Sequence, residues 1–184
     1  MGRISGRDAE TTRRLVLDAA AAQFAAHGAE ASIDSIAERA GVSKGGLKYH
    51  FASKEALLRA VAVDQLLTFR AEVQELRDPS DAAAGALTRA YLRATLVALA
   101  QPDLMCEKHA LMAQLSTVPA VQEACREDAA WWDAAVAADG IDPTTAALVV
   151  AAADGLAAAP LWGAAYTQEQ LERLGERLEE MTRA

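Results

Sequence analysis

The sequence predicts an all-α protein, and three observations carry that expectation. Apolar residues fill 52% of the 184 positions, and alanine, the strongest helix former, supplies much of that share. Valine and isoleucine are too sparse for many strands. Apolar positions recur at helical spacing between proline and glycine punctuation, as with Val16, Ala20 and Phe24. The length suffices for one or two compact domains with a sizeable core.

The elements follow in order. Residues 1–10 are polar, carry Arg3 and Arg7, and read as a disordered arm. They lack the apolar centre of a signal peptide. A first helix is expected over about Thr12–His27, with Gly28 stopping it. A second runs over about Ile33–Ala40. The Ser32 hydroxyl can accept from an orphan N–H of its first turn, and Gly41 suits the left-handed position after its last turn. Ser43 caps a short third helix, Lys44–His50, and Phe51 is a core plug. Ser53 caps a long fourth, about Lys54–Leu76. Asp78-Pro79-Ser80-Asp81 is the clearest punctuation, and on that ground alone a boundary falls near it. A fifth helix ends near Ala100. Pro102 and Pro119 open the sixth and seventh, where a missing N–H costs nothing. Asp142-Pro143 starts an eighth, which Pro160 kinks or ends. The Thr167–Gln170 capping box starts a ninth that runs near the end.

Composition excludes several classes. No run of about 18 apolar residues is free of charge, so no membrane span is expected. Cys106 and Cys125 suggest no disulfide framework and fit a reducing, cytoplasmic setting. No nucleophile–base pair, phosphate-cradling glycine loop or metal-ligand set is visible, so no enzyme, catalytic residue, cofactor or metal is expected. Cys106 and His109 stand at i, i+3, but no second histidine or cysteine lies near them to complete a metal site. The net charge of −8 is unevenly spread. Residues 1–60 hold nine Lys+Arg against seven Asp+Glu, net +2, leaving nine against nineteen, net −10, in the rest. A mildly basic first third on an acidic body can meet a polyanion by one end.

Within that basic third, two short helices joined by Ala40-Gly41-Val42-Ser43 have the spacing of a helix-turn-helix. Glycine turns the chain and Val42 pins the helices together, so that the second can enter a major groove. Gly45 and Gly46 are odd for packing, since each costs about 1 kcal/mol in a helix interior. Close approach to a DNA backbone or base edge would explain them. Lys44, Lys48, Tyr49 and His50 supply donors and a ring that can reach phosphates or bases. Lys54 at a helix N-terminus opposes the dipole by roughly 0.3–1 kcal/mol. A phosphate docked there reverses the sign, whereas a neighbour such as Glu55 could simply pair with it.

The stretch Ser32-Ile33-Asp34-Ser35-Ile36-Ala37-Glu38-Arg39-Ala40-Gly41-Val42-Ser43-Lys44-Gly45-Gly46-Leu47-Lys48-Tyr49-His50-Phe51, continuing to Leu58, closely resembles the signature of the TetR family of bacterial regulators. Ala19, Ala20, Phe24 and Gly28 match as well, so the resemblance covers about residues 12–60. It implies a three-helix DNA-binding domain (residues 1–55) and a helical ligand-binding and dimerising body (residues 56–184). It also implies an inducer that lowers DNA affinity. By position it implies DNA contacts from Ser32, Lys44, Gly45, Gly46, Tyr49, His50 and Lys54; Ser43 and Lys48 join the candidates. Lys48 departs from the family, many of whose members carry tyrosine there, but a lysine still reaches a phosphate.

The body offers two further candidate sites. Leu148, Ala152, Gly155 and Ala159 form a stripe on the eighth helix, and Trp162 continues it. That helix is apolar nearly all round, which predicts burial. Leu171, Leu174, Leu178 and Met181 make a coiled-coil type seam on the ninth. In the family these two helices pair with their copies in a four-helix bundle, so Leu148, Ala152, Gly155, Ala159, Leu171, Leu174 and Leu178 are the candidate dimer interface. A two-fold dimer sets two recognition helices about 34–36 Å apart over a palindromic operator. Candidates for a small-molecule wall are Phe69, Tyr91, Met105, His109, Met112, Trp132 and Trp162, although such residues are more often core. The expectation is a homodimeric repressor released from double-stranded DNA by a small-molecule effector. A regulator without a ligand and a helical enzyme are the alternatives.

Overall fold

The computed structural model describes residues 8–183. The expected arm, with Arg3 and Arg7, therefore lies largely outside the described residues. Among these there are nine α-helices and two short 3-10 helices, with no strand. The α-helices are α1 (Ala9–His27), α2 (Ile33–Ala40), α3 (Lys44–His50), α4 (Lys54–Glu75), α5 (Ala86–Leu99), α6 (Pro102–Leu115), α7 (Pro119–Ala137), α8 (Pro143–Ala158) and α9 (Gln168–Met181). The all-α expectation holds, and most boundaries agree to within a residue.

One boundary differs. Helix α1 starts three residues before Thr12, because the Asp8 carboxylate accepts from the Thr11 N–H at 2.6 Å and caps the first turn. That cap holds the Asp8 carboxyl below its ordinary range. The added turn is polar, so no apolar period announces it. Pro160 ends α8 rather than kinking it, and a 3-10 turn, Ala159–Trp162, closes on Gly163 at φ 79°.

The chain forms two compact units. The first comprises residues 8–64 together with Ala110–Cys125. Val16, Ala20 and Phe24 of α1, Ile36 of α2, Leu47 of α3, and Leu57 and Val61 of α4 are at most 1% exposed in its core, with Leu115 and Val121. Phe51 joins them, as a core plug should. Each of these Val, Leu, Ile and Phe side chains contributes about 1.5–3 kcal/mol on burial. Arg14 is held against Asp64 and Asp18 at 2.6 Å each.

The second unit comprises residues 65–109 and 126–183. Here α5 packs on α8 and α9. Its core holds Val73, Leu92, Val149, Ala153 and Leu156. Helix α9 approaches α5 closely at Gly175, where a Cβ would stand 2.6 Å from Leu96 Cδ1. The N-terminus of α5 is capped from far along the chain. The Asp139 carboxylate accepts from the N–H groups of Leu87 and Thr88 and from the Thr88 hydroxyl, at 3.0, 2.7 and 2.7 Å. Arg89, 0% exposed, donates to Asp81 at 2.7 Å, to the Ala84 carbonyl at 2.9 Å and to the Thr182 hydroxyl at 3.0 Å. Pro143–Trp162 is long and apolar enough to cross a membrane by length and composition alone (mean hydropathy 1.5). It carries Asp154, whose carboxylate accepts from the Tyr91 hydroxyl at 2.6 Å.

Candidate nucleic-acid interface

Three serine caps set the helix-turn-helix. Ser32, Ser43 and Ser53 each accept at 3.0 Å from the N–H three residues on, namely Ser35, Gly46 and Ala56. Gly41 takes φ 66°, ψ 33°, and the Gly41 and Val42 N–H groups close back on the carbonyls of Glu38 and Ala37. A side chain there would be strained, so the turn itself selects glycine. Val42 packs partly against the core of the first unit, as a pin between the helices should.

Helix α3 is anchored by one buried residue, Leu47. The rest of it faces outward. Lys44, Gly45, Lys48 and Tyr49 are exposed, while Gly46 and His50 are half-buried. Tyr49 is 83% exposed and touches another ring only edge-on, at His50, 5.2 Å between centroids. A tyrosine so placed contributes almost nothing to the core. Gly45 has open space where a Cβ would go, its nearest neighbour being Ser43 Oγ at 3.9 Å. At Gly46 that oxygen is 3.3 Å away, so the capping bond itself makes that position tighter. Lys44 is paired with Asp34 of α2, Nζ to Oδ1 2.8 Å. Lys54 is half-buried in the first turn of α4 and, like Lys48, makes no ion pair with a described residue. The structure thus brings Ser43, Lys44, Gly45, Gly46, Lys48, Tyr49 and His50 onto one short helix and its cap, with Ser32 and Lys54 opening the helices on either side. Such a surface offers ammonium groups, a phenol and bare backbone.

Sequence reasoning missed the Asp34–Lys44 pair. The two residues lie ten apart, and only the geometry of the turn brings them together, so no periodicity signals it.

The ligand-wall candidates separate. Phe69, Tyr91 and Trp132 cluster in the second unit, with centroid distances of 5.1, 6.0 and 4.9 Å, and Met105 belongs to the same core. Burial, followed by the Asp154 hydrogen bond, holds the Tyr91 hydroxyl well above its ordinary pKa, so it stays protonated and donates. His109 Nδ1 lies 3.0 Å from the Met105 carbonyl oxygen. Met112 packs in the first unit's core instead, and Trp162 stands 84% exposed, apart from the cluster. Trp131 packs edge-on against Trp132 and carries the Arg70 guanidinium over its face at 4.0 Å. Arg70 also pairs with Asp128. Asp154, a carboxylate inside an apolar helix, stands out in the sequence and would be expected to bond across a dimer or to backbone, yet it takes the Tyr91 hydroxyl of its own chain; Arg70 and Asp128 carry no such signal.

The dimer candidates also differ among themselves. Within one chain α8 buries only one side, through Ala146, Val149, Ala153, Leu156 and Ala157. Its other side is open within the chain, so burial all round would need a second copy. Leu148 is 54% exposed, Leu174 39%, and Gly155 is exposed with nothing within 4 Å of a Cβ. Ala152, Ala159 and Leu171 are half-buried, and Leu178 is buried in its own chain's core.

Comparison with known proteins gives a consistent assignment. Residues 16–61 match the model for bacterial regulatory proteins of the tetR family, and residues 85–183 match the tetracyclin repressor-like C-terminal domain. The HTH-type transcriptional regulator SrpR of Pseudomonas putida is 42% identical over 62 residues, which is 33% of this chain and 29% of that regulator. The match thus spans less than a third of that relative's length. A solved protein of Pseudomonas aeruginosa PAO1 has the same fold, with a TM-score of 0.78 over 97% of this chain and 93% of its own, at 20% identity. The multidrug binding protein EbrR, solved with malachite green, aligns with a TM-score of 0.69 at 28% identity, covering 92% of this chain and 97% of its own.

Proposed function

The chain belongs to the tetR family of bacterial regulatory proteins, and on that premise we propose that it is a cytoplasmic, homodimeric repressor that a small molecule releases from a palindromic operator. The observation that carries the DNA half is the outer face of α3. Tyr49 is 83% exposed beside an open Gly45 and the Lys44 and Lys48 ammonium groups, an arrangement that packing does not require. Lysines and backbone N–H groups position the protein on phosphates, while Tyr49 and His50 reach base edges. The half-empty face of α8, with Leu148 and Gly155 open, supports pairing with a second copy.

The effector would bind beside Phe69, Tyr91 and Trp132, where ring faces meet the Tyr91–Asp154 pair. The likeness to a multidrug binding protein solved with malachite green supports a ligand in the body. Such a ligand relieves repression only to the extent that it binds the non-DNA-binding state more tightly. A gel shift on the chain's own upstream region tests the reading. Wild type retards the fragment, and the Lys44→Ala/Tyr49→Ala variant does not. Equal retardation by both would sink it.

A further inference from the structure

We propose that Asp34 is a specificity-determining residue of this DNA face, restraining Lys44 and so lowering sequence-independent binding to duplex DNA. The inference rests on the reading of α2 and α3 as the DNA-binding elements. Asp34 lies in the first turn of α2 and Lys44 opens α3, with Oδ1 and Nζ 2.8 Å apart. Both side chains face solvent, at 70% and 57% exposure. An ion pair so exposed adds little to folding, so stability does not account for it. Of the lysines on this face, Lys48 and Lys54 have no acidic partner among the described residues, and Lys44 has one.

The chemical consequence follows from how proteins hold DNA without reading it. That affinity grows with the number of phosphates neutralised by uncompensated cations, each releasing condensed counterions. A lysine already held by a carboxylate adds little in a loosely docked complex. Only a site whose groove shape brings a phosphate against Lys44 draws the ammonium off Asp34. The carboxylate therefore weakens binding to every duplex, and the fitted site alone recovers the contact.

The test uses the full chain and a random-sequence duplex, with fluorescence anisotropy titrated between 50 and 200 mM salt. Wild type, Asp34→Asn, Lys44→Ala and the double variant are compared. Asp34→Ser removes the same charge and stands in should Asp34→Asn unfold, as judged by circular dichroism. Removing the carboxylate should steepen the plot of log affinity against log salt by about 0.9 and tighten binding several-fold. In the Lys44→Ala background the same change should leave the slope as it was. Equal effects in both backgrounds would make Asp34 a bare repelling charge and overturn the proposal. So would a variant that matches wild type while wild type binds. If wild type itself shows no salt-dependent binding, the DNA-binding reading fails, and the inference with it.

Discussion

At Gly45 neither the backbone angle nor any neighbouring atom calls for a glycine. The residue is helical, its φ is not positive, and a Cβ would meet only Ser43 Oγ at 3.9 Å. Alanine there should therefore stabilise the fold by up to about 1 kcal/mol, less near a helix end. If the bare backbone lies against DNA, the same methyl should cost about tenfold in duplex affinity, the scale of an overpacked contact. Thermal unfolding and a binding titration of Gly45→Ala measure the two effects, which should move in opposite directions. A variant more stable and equally tight would return Gly45 to mere tolerance. This oddity was legible in the sequence, because helix propensity is a property of single residues. The Asp34–Lys44 pair was not, because it depends on how a turn aims two helices.

Helices were legible where local chemistry punctuates them. Ser32, Gly41, Ser43, Asp142-Pro143 and the Thr167–Gln170 box each act within a few residues, and each end lies where they put it. The start of α1 escaped because its cap precedes a polar turn. The cap of α5 by Asp139 escaped for the opposite reason, since its partner lies some fifty residues away. Arg89 is the sharpest case. An arginine in a helix reads as surface, yet this one is 0% exposed and joins α5 to the 81–84 segment and to Thr182. Arg89→Met strips Asp81 of its two guanidinium bonds, leaving it only the Ala83 N–H at 3.3 Å and Arg183 at 3.9 Å, and should destabilise the second unit by about 3 kcal/mol in denaturant unfolding. A linked prediction concerns acid. The Arg89 hydrogen bond holds the Asp81 carboxyl below its ordinary range. A depressed folded value means stabilisation that is present above the unfolded carboxylate pKa, near 3.9, and is lost as pH falls through the depressed one. Between pH 5 and 2.5 the unfolding midpoint of wild type should therefore fall more steeply than that of Asp81→Asn.

For the whole molecule, periodicity says that a helix forms but not which core it joins. Residues Ala110–Cys125 belong to the unit of residues 8–64, and no pattern in their sequence announces it. Apolarity is equally mute about partners. Helix α8 is apolar nearly all round, yet one side is open within the chain, with Leu148 at 54% exposure. Leu148→Glu should thus leave the monomer folded and shift the molecule from dimer to monomer in sedimentation. Operator affinity should fall steeply, because two recognition helices no longer bind together. A dimer unaffected by Leu148→Glu would place the interface elsewhere.

If the face of α3 reads DNA as a dimer does, the protein picks out two-fold sites. Selection of bound fragments from a genomic pool, with wild type and the Lys44→Ala/Tyr49→Ala variant in parallel, tests it most directly. Wild type should enrich a palindrome with half-sites about one helical turn, or a multiple of it, apart, and the variant should enrich nothing. No enrichment by wild type, or the same palindrome recovered by the variant, would contradict it.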